Sequence, residues 1–394
     1  MDFSKPIGSS KNSIDISTDN ITTAVRLPDN IPRLEGGTLF ISDGVMHMLP
    51  GAHVLNNSVD ANGNILNTTT YRVNLTNRVW DFHLESQKWG VHVSEIEDQP
   101  GWAAATFDTR NQVGWYYGGH IFAAQYYNGT VLMNSTSNGP DRVLRDLYRL
   151  DRGQHTPIKV EADSSIVGVM NGGELVYIEG AGEAGILVLI GGATGVYVKD
   201  LGMVSMVDQI IKPYTSIIFC TNTLLHWQRS IQTVHIFDIA TNTWFAQSTT
   251  AHAEFYPTMR LEFCSVVASA SDNSSHNIYI YGGWDPGSES IKEDVYILTL
   301  PAFHWVLVYP LAKDASEINI RLTYKHKCQK IHEKHMISYR GRQGTDSCDY
   351  DVILKKFQGM AIYDMSSLTW TTKVELENPK YLVPEVLYGI IGGK

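Results

Sequence analysis

TVHIFDIATNTW (233–244), SHNIYIYGG (275–283) and DVYILTLPAFHW (294–305) are the segments that decide the fold of this chain. Apolar residues such as Ile278 and Ile280 alternate with aromatic or polar neighbours, which is the two-residue period of a β-strand buried on at least one face. A double glycine, Gly282-Gly283, ends one strand where no side chain fits. A tryptophan follows a large apolar residue after seven positions, as in Phe237 to Trp244. The pattern predicts a four-stranded unit that stacks on copies of itself, as a propeller blade does.

The same unit recurs along the chain, and an aromatic residue marks its outer edge each time. These markers are Trp89, His155, Trp244, Trp305 and Trp370, at intervals of 66, 89, 61 and 65 residues. Five units are complete, and each terminus supplies about half a unit. Joining the two halves leaves no free sheet edge. The sequence therefore predicts a single all-β, six-bladed β-propeller over residues 1–394, with its last blade closed by strands from both termini.

The longest interval contains an insertion in the third unit, at about residues 195–232. Within it, LGMVSMVDQIIKPY (201–214) carries apolar residues at helical spacing, and SIIFCTNTLLHWQ (216–228) has the pattern of an extra hairpin. We therefore expect a helical and hairpin insertion. A last apolar segment, VLYGIIGG (386–393), is expected to belong to the closing blade.

Composition excludes several classes of function. The formal net charge is −10, and no basic cluster is longer than Lys355-Lys356, which argues against nucleic acid and anionic membranes as partners. No apolar run approaches the length of about 18 residues that a membrane span needs. No His and Cys have zinc spacing, no glycine-rich loop has the lysine of a phosphate-binding loop, and no Gly-x-Ser-x-Gly elbow occurs. We predict neither a metal nor a cofactor.

Cysteines and glycosylation sequons favour the secretory route. We expect Cys328 to pair with Cys348 and Cys220 with Cys264, buried free thiols being the alternative. Seven Asn-x-Ser/Thr sequons predict a glycoprotein, at Asn20, Asn56, Asn67, Asn74, Asn128, Asn134 and Asn273. The first residues, MDFSKPIGSS, contain no apolar signal segment. Either a signal has been removed from a secreted protein, which we expect, or the protein is cytoplasmic.

Gly282-Gly283, Tyr296 and Trp305 resemble the kelch repeat, and the resemblance covers nearly the whole chain. RLEFCSVVASASDNSSHNIYIYGG (260–283), EDVYILTLPAFHWVLVYP (293–310) and MAIYDMSSLTW (360–370) look like the kelch-type propellers of filamentous fungi. A small group of those propellers are the hetero-Diels–Alderases of tropolone–sesquiterpene meroterpenoid biosynthesis. The resemblance therefore implies a cofactor-free pericyclase that joins a tropolone- or phenol-derived o-quinone methide to a humulene-type terpene alkene.

Two departures from the general kelch pattern favour the catalytic subgroup. Arg340-Gly341-Arg342 replaces the double glycine of the fifth unit. The loop AHAEFYPTMR (251–260) is bulkier and more aromatic than a plain propeller turn requires. Both changes fall on loops of one propeller end, where ligands enter.

The resemblance also selects candidate site residues, because the loops around double glycines and before innermost strands emerge at one end of the channel. The expected catalytic residues are Arg340, His120, Asp285 and Arg260, and the expected substrate-binding residues are Trp284, Trp102, His53, Glu35, Tyr324 and Arg342. A donor at the quinone oxygen would stabilise developing charge, and His120 or Asp285 would act as general acid. Trp102 and Trp284 would stack on the rings.

Each candidate also has a structural interpretation. Propeller tryptophans are usually core residues, loop arginines are usually solvated or ion-paired, and Asp285-Pro286-Gly287 is a turn sequence. The alternative function is a non-catalytic kelch propeller that binds a protein or glycan partner. A copper-radical oxidase is a further kelch-based alternative, although the four cysteines suit disulfides better.

Overall fold

The computed structural model describes residues 13–15, 34–42, 45–49, 52–55, 71–73, 78–93, 100–121, 126–127, 130–131, 142–198, 202–205, 229–310, 323–339, 341, 360–375 and 380–392. Within these ranges the chain folds into short β-strands, with a single-turn 3-10 helix at His252–Glu254 and an α-helix at Glu385–Ile391. No helix in the described ranges has the length and hydropathy needed to cross a membrane.

Five propeller blades, each built from four antiparallel strands, form the described part of the chain, and the sheet of blade 4 has a fifth strand at its edge. Blade 1 contains Thr38–Ser42, Val45–Leu49, Arg78–His83 and Lys88–Val93. Blade 2 contains Ala104–Asp108, Val113–Tyr117, Leu147–Leu150 and Ile158–Lys159. Blade 3 contains Glu174–Ile178, Ile186–Ile190, Thr233–Asp238 and Thr243–Ser248. Blade 4 contains Cys264–Ser269, His276–Tyr281, Val295–Leu300 and His304–Tyr309. Blade 5 contains Lys327–Ile331, His335–Tyr339, Met360–Asp364 and Thr369–Thr371.

The prediction of six blades is wrong, since the described residues form five. Strand Ser13–Asp15 pairs with Lys373–Glu375, so segments near both termini meet, but in a two-stranded sheet rather than a four-stranded blade. Segment 386–393, which was assigned to the closing blade, lies mostly in the helix Glu385–Ile391. Its residues Leu387 and Ile390 are three positions apart, face the same side of the helix and pack against the core between blades 4 and 5.

The helix predicted in the insertion is also wrong for the residues that the structure describes. Gly195–Val198 and Gly202–Ser205 form an antiparallel hairpin. Met203 pairs with Tyr197 and Val204 with Val196, and β-branched and aromatic residues favour such a strand pair over a helix. Residues 206–228, with the second predicted hairpin, lie outside the described ranges.

Short strand pairs extend the loops between the second and third strands of several blades. These pairs are Ala52–Leu55 with Leu34–Glu35 and Tyr71–Val73, His120–Ile121 with Arg142–Val143, Tyr126–Tyr127 with Thr130–Val131, and Trp284–Asp285 with Ser290–Ile291. Strand Thr250–Ala251 adds a parallel edge to blade 4. Since every second strand ends at the same face of the ring, these extensions gather at one end of the propeller.

The hydrophobic core lies between blades. Val188 of blade 3 packs with Ile278 of blade 4 in one cluster, and Ile297 of blade 4 packs with Tyr363 of blade 5 in another. The first strands of neighbouring blades contact one another around the axis. A single blade would expose both faces, so stacking supplies the burial that stabilises each sheet.

The outer-edge markers occupy the same corner in four blades, which confirms the spacing argument there. In each, the marker is paired across the last two strands with the apolar residue seven positions earlier: Phe82 with Trp89, Phe237 with Trp244, Leu298 with Trp305 and Tyr363 with Trp370. His155 of blade 2 lies instead in the loop before the fourth strand.

The double glycine is required by the close approach of the next blade. Gly283 N–H donates to the carbonyl oxygen of Thr323 at 2.9 Å. A Cβ atom on Gly282 would lie 2.6 Å from that same oxygen, and Gly282 has a φ of +66°. A side chain would therefore both clash and strain the backbone.

A disulfide joins Cys264 to Cys328 on the first strands of blades 4 and 5, so the predicted partners of these two cysteines are wrong. The first strands of neighbouring blades lie side by side, which brings the two Cα atoms to 5.4 Å although the residues are 64 positions apart. Cys220 and Cys348 lie outside the described ranges.

Candidate functional site

A row of four backbone hydrogen bonds runs around one end of the central channel. In every blade, the residue two positions before the first strand has a positive φ, and we name these five residues the mouth ring: Gly36 (65°), Trp102 (55°), Gly172 (65°), Glu262 (53°) and Lys325 (59°). The N–H of each residue from Trp102 onward donates to the carbonyl oxygen of the preceding member, at 2.8–2.9 Å. The mouth ring therefore connects blades 1 to 5 in order.

Three members of the mouth ring carry large side chains in a backbone conformation that favours glycine. A left-handed conformation costs a non-glycine residue about 1–2 kcal/mol. Gly36 and Gly172 fulfil the same role in blades 1 and 3, so the ring itself requires no side chain. Such strained residues concentrate at functional sites. Trp102, Glu262 and Lys325 are therefore the first candidates for a function at this end.

The three side chains meet over the channel opening. The Lys325 ammonium lies 5.3 Å from the centroid of the Trp102 ring and 3.5 Å from the Glu262 carboxylate. Blades 2 and 5 are not neighbours in the order of the ring, so Lys325 extends across the opening. On its other side the indole covers Gly36, where a Cβ atom would lie 2.6 Å from Trp102 Cδ2. The Lys325 and Glu262 side chains are 23% and 15% exposed, and cation–π and ion-pair contacts that solvent reaches each contribute about 1 kcal/mol, so a ligand could displace them.

A carboxyl group lies inside the channel, on the first strand of blade 3. Ser265 Oγ of blade 4 donates to Glu174 Oε2 at 2.9 Å, and Lys327 Nζ of blade 5 lies 3.9 Å from Oε1. Burial raises the pKa of Glu174, against the lowering effects of the Lys327 charge and the Ser265 hydrogen bond. A carboxyl group with a raised pKa retains its proton more readily and is a candidate proton donor.

Three of the predicted substrate-binding residues lie at the channel mouth. Trp102 belongs to the mouth ring. Trp284 exchanges two backbone hydrogen bonds with Leu261, the residue before Glu262, at 2.8 and 2.9 Å. Tyr324 directly precedes Lys325, and its side chain is half-buried, like those of Trp102 and Trp284.

Arg260, a predicted catalytic residue, is part of the scaffold. Its side chain is fully buried and forms a two-pronged ion pair with Asp294. It also donates to the carbonyl oxygens of Thr258 and Gly282, each at 3.1 Å. These bonds fix the double glycine of blade 4 and leave the guanidinium away from the opening.

Asp285 and His120 are likewise enclosed by the fold. Asp285 Oδ1 accepts the backbone N–H of Gly287 at 2.9 Å, Oδ2 accepts the Ser288 hydroxyl at 2.8 Å, and the Lys292 ammonium lies 3.3 Å away. The carboxylate thus caps a turn. His120 is 1% exposed and its backbone forms two hydrogen bonds with Gly101, so its side chain is not presented to a ligand at the mouth.

Several predictions fall on parts that the structure does not describe. Arg340 and Arg342 lie outside the described ranges, and for Glu35 and His53 only the backbone strands are described. Among the sequon asparagines, Asn273 lies exposed in the turn between the first two strands of blade 4. The others, Asn20, Asn56, Asn67, Asn74, Asn128 and Asn134, lie outside the described ranges.

Sequence reasoning missed Glu262, Lys325 and Glu174. The signal that identifies the first two is positional, since every mouth-ring residue precedes a first strand by two positions. Of the predicted site residues, Trp102 is itself a mouth-ring residue, Glu35 and Tyr324 precede one by a single position, and Arg260 precedes one by two positions. Glu174 has no motif, since its partners come from two other blades.

The chain is similar to a curated fungal protein and to solved structures. No protein-family model matches the chain. The chain is 24% identical over 375 residues to a kelch repeat-containing protein of Arthroderma benhamiae (strain ATCC MYA-4681 / CBS 112371), a match that covers 80% of this chain and 48% of that protein. The chain thus spans about half the length of the curated relative it matches. A solved structure described as "Structure of YjhT" shares the fold with a TM-score of 0.53 and 11% identity, covering 91% of this chain and 89% of that one.

Proposed function

We propose that this β-propeller, which is similar to a kelch repeat-containing protein, binds a small oxygenated ring compound at the channel mouth formed by Trp102, Glu262 and Lys325. The observation that carries the proposal is the left-handed conformation of these three residues, where glycine serves in blades 1 and 3. A ring compound would stack on the Trp102 indole once Lys325 moves aside. The Lys325 ammonium would then donate to a ligand oxygen, and Glu262 would accept from a ligand hydroxyl.

The test is a binding measurement with tropolone as the probe. We expect tropolone to quench tryptophan fluorescence of the wild-type protein with saturation, and Lys325→Met to weaken binding at least about tenfold, the value of one charge-assisted hydrogen bond. Lys373→Met is the matched control, because Lys373 is exposed and lies on the strand that pairs with Ser13–Asp15. Equal binding by wild type and Lys325→Met, or no saturable binding, would contradict the proposal.

The narrower proposal, which follows the fungal resemblance, is a cofactor-free hetero-Diels–Alder reaction at this mouth. The precursor is a ring that bears a hydroxyl beside a hydroxymethyl group. Glu174 would protonate the leaving hydroxyl, which departs as water, and would then take the proton of the ring hydroxyl. The resulting o-quinone methide adds to the terpene alkene with formation of one C–C and one C–O bond and release of nothing. Lys325 would stabilise charge that develops on the quinone oxygen, and the channel would hold both partners in reacting geometry.

The reaction is tested with purified protein, such a precursor and a humulene-type terpene. We expect one stereoisomer in excess over the uncatalysed mixture, and a rate at least about tenfold lower for Glu174→Gln, in the range typical of lost general-acid catalysis. A product mixture identical to that without protein would reject the reaction. If tropolone binding then persists, the binding proposal stands by itself.

A non-catalytic binding role is the second candidate, with a protein or glycan as partner. It is favoured by the fact that Arg260 and Asp285, two of the predicted catalytic residues, are engaged in fixing backbone. Under this role, Trp102→Gly would abolish capture of the partner while tropolone has no effect on either variant. Competition between tropolone and the partner would instead place both at the same mouth.

A further inference from the structure

Three histidines surround one buried carboxylate at the contact between blades 1 and 2. His47 Nδ1 lies 2.8 Å from Asp81 Oδ1, while His92 Nε2 and His155 Nδ1 lie 3.0 and 3.1 Å from Oδ2. His47 and Asp81 are directly paired on neighbouring strands of blade 1, and His92 follows on the next strand. His155 comes from the loop of blade 2. These residues, the His–Asp cluster, lie outside the mouth ring and have no role in the function proposed above.

The cluster has the donor set of a metal site. Donor atoms of His47, Asp81 and His155 lie within 4.8 Å of one another. In a tetrahedral site with bonds of about 2.0–2.1 Å, donor atoms lie about 3.3 Å apart, so rotation of the side chains suffices to close the site. Imidazole nitrogens with one carboxylate oxygen suit zinc and neighbouring transition metals better than calcium or magnesium.

The His–Asp cluster has a buried side, which is held rigidly, and an exposed side, through which an ion could enter. The side chains of Asp81 and His47 are 3% and 9% exposed, whereas those of His155 and His92 are 32% and 36% exposed. The two inner ligands are fixed by strand pairing, and the two outer ones can rotate to admit an ion from solvent. The His92 and His155 rings stack in parallel at 3.5 Å, so both already face the same carboxylate.

The position of His155 is a second, independent indication. In the other four blades a tryptophan on the fourth strand pairs with the residue seven positions earlier, whereas His155 lies in the loop before the fourth strand of blade 2. In blade 2 the histidine instead contacts Asp81 of the neighbouring blade.

We propose that His47, Asp81, His155 and His92 bind one divalent transition-metal ion of the zinc type and thereby fasten blade 1 to blade 2. Because the four ligands are spread over residues 47 to 155, no short sequence motif predicts the site. The ion would lie between the Asp81 carboxylate and the imidazole nitrogens that now face it.

The test uses full-length protein made without a histidine tag and stripped with a chelator. Titration calorimetry with ZnCl₂ should show one equivalent bound per chain, and Co²⁺ in its place should develop a visible absorption band. His155→Trp keeps an aromatic side chain at this position and removes one ligand nitrogen. We expect it to weaken Zn²⁺ binding at least about tenfold and to remove the Co²⁺ band, as loss of a metal contact does.

His83→Ala is the matched control, because His83 lies on the same strand as Asp81 but is exposed. It should bind Zn²⁺ like the wild type. No binding by the wild type, or equal binding by wild type, His155→Trp and His83→Ala, would overturn the proposal. The cluster would then be a hydrogen-bonded contact between blades only. If His155→Trp proves unstable, His92→Phe, which keeps a stacked ring, gives the same comparison.

Discussion

At the scale of single residues, the backbone of each mouth-ring residue serves the fold, whereas its side chain is available to a ligand. The fold needs a left-handed residue that donates one hydrogen bond to the preceding blade, and glycine satisfies this in blades 1 and 3. Glu262 and Lys325 add charge at the same backbone position. Their side chains can therefore be changed with little effect on the ring, as long as the new residue tolerates a positive φ.

Replacements at Glu262 should reveal this strain directly. Glu262→Gly and Glu262→Ala both remove the carboxylate, but only glycine relieves a φ of 53°. We expect the glycine variant to have the larger free energy of unfolding, by about 1 kcal/mol. Urea denaturation measures the difference. The same pair at Glu375, an exposed strand position, should show the opposite order. A more stable alanine variant at 262 would contradict the assignment of strain.

His326 should make stability depend on pH. It is buried behind Lys325, its Nε2–H donates to the Tyr281 carbonyl oxygen at 3.1 Å, and burial lowers its pKa to about 3. In the unfolded chain the His326 imidazole becomes protonated near pH 6.5. In the folded chain it becomes protonated only near pH 3. This contribution to stability is complete above pH 6.5 and falls by about 1.4 kcal/mol per pH unit below it.

His326→Gln removes the titration but retains a donor. Between pH 6.5 and 4.5 we expect the variant to lose about 2–3 kcal/mol less free energy of unfolding than the wild type. Urea midpoints at the two pH values provide the comparison. Parallel loss in both proteins would mean that other groups dominate the acid sensitivity, and His235, whose pKa burial lowers to about 4, would be the next to replace.

At the scale of elements, the spacing of residues along the chain predicted the features that depend on pairing between adjacent strands. The seven-residue step from Phe237 to Trp244 became a cross-strand pair, and the double glycine ended a strand against the next blade. Elements that depend on distant partners were not predictable in this way. The segment 386–393 is a helix because Leu387 and Ile390 fill one side of a core supplied by blades 4 and 5.

The cysteine pairing illustrates the same limit and can be tested. Cys264 and Cys328 are neighbours only because two first strands lie side by side around the axis. Closing a loop of 64 residues is expected to stabilise the fold by up to about 4 kcal/mol, so Cys328→Ser should lower the free energy of unfolding by that order. Cys348→Ser is the control and should leave the bond intact. A peptide linking Cys328 to Cys348 in a non-reduced digest would refute the pairing.

At the scale of the whole molecule, the blades are also joined by contacts that no repeat unit contains. The Tyr381 hydroxyl lies 2.9 Å from that of Tyr279 and accepts a hydrogen bond from the Asn277 amide at 3.1 Å. Leu387 is fully buried in the same cluster. Side chains also meet across the opening, as Lys325 does with Trp102. Repeat spacing gives the order of blades, but it carries no information on which side chains cross the axis.

Removal of the last segment should therefore loosen the propeller. A chain that ends at Lys380 loses the Tyr381 hydrogen bonds and the burial of Leu387, and we expect a loss of at least about 3 kcal/mol, with a lower melting temperature. Calorimetry measures both the loss of stability and the change in melting temperature. Removal of Gly393 and Lys394 alone should have no effect. An unchanged melting temperature for the longer deletion would show that blades 4 and 5 are stable without this segment.

The mouth ring also makes the protein a scaffold for engineering. Blades 2 to 5 each contribute one residue to the same opening, held by main-chain bonds that do not depend on the side chain. Gly36 must stay glycine, because a Cβ atom there would lie 2.7 Å from the Trp102 backbone nitrogen. A library that varies only positions 102, 172, 262 and 325 would sample new entrances while the backbone hydrogen bonds between the blades are retained. Affinity for unrelated small molecules could then be selected without redesign of the surrounding barrel of sheets.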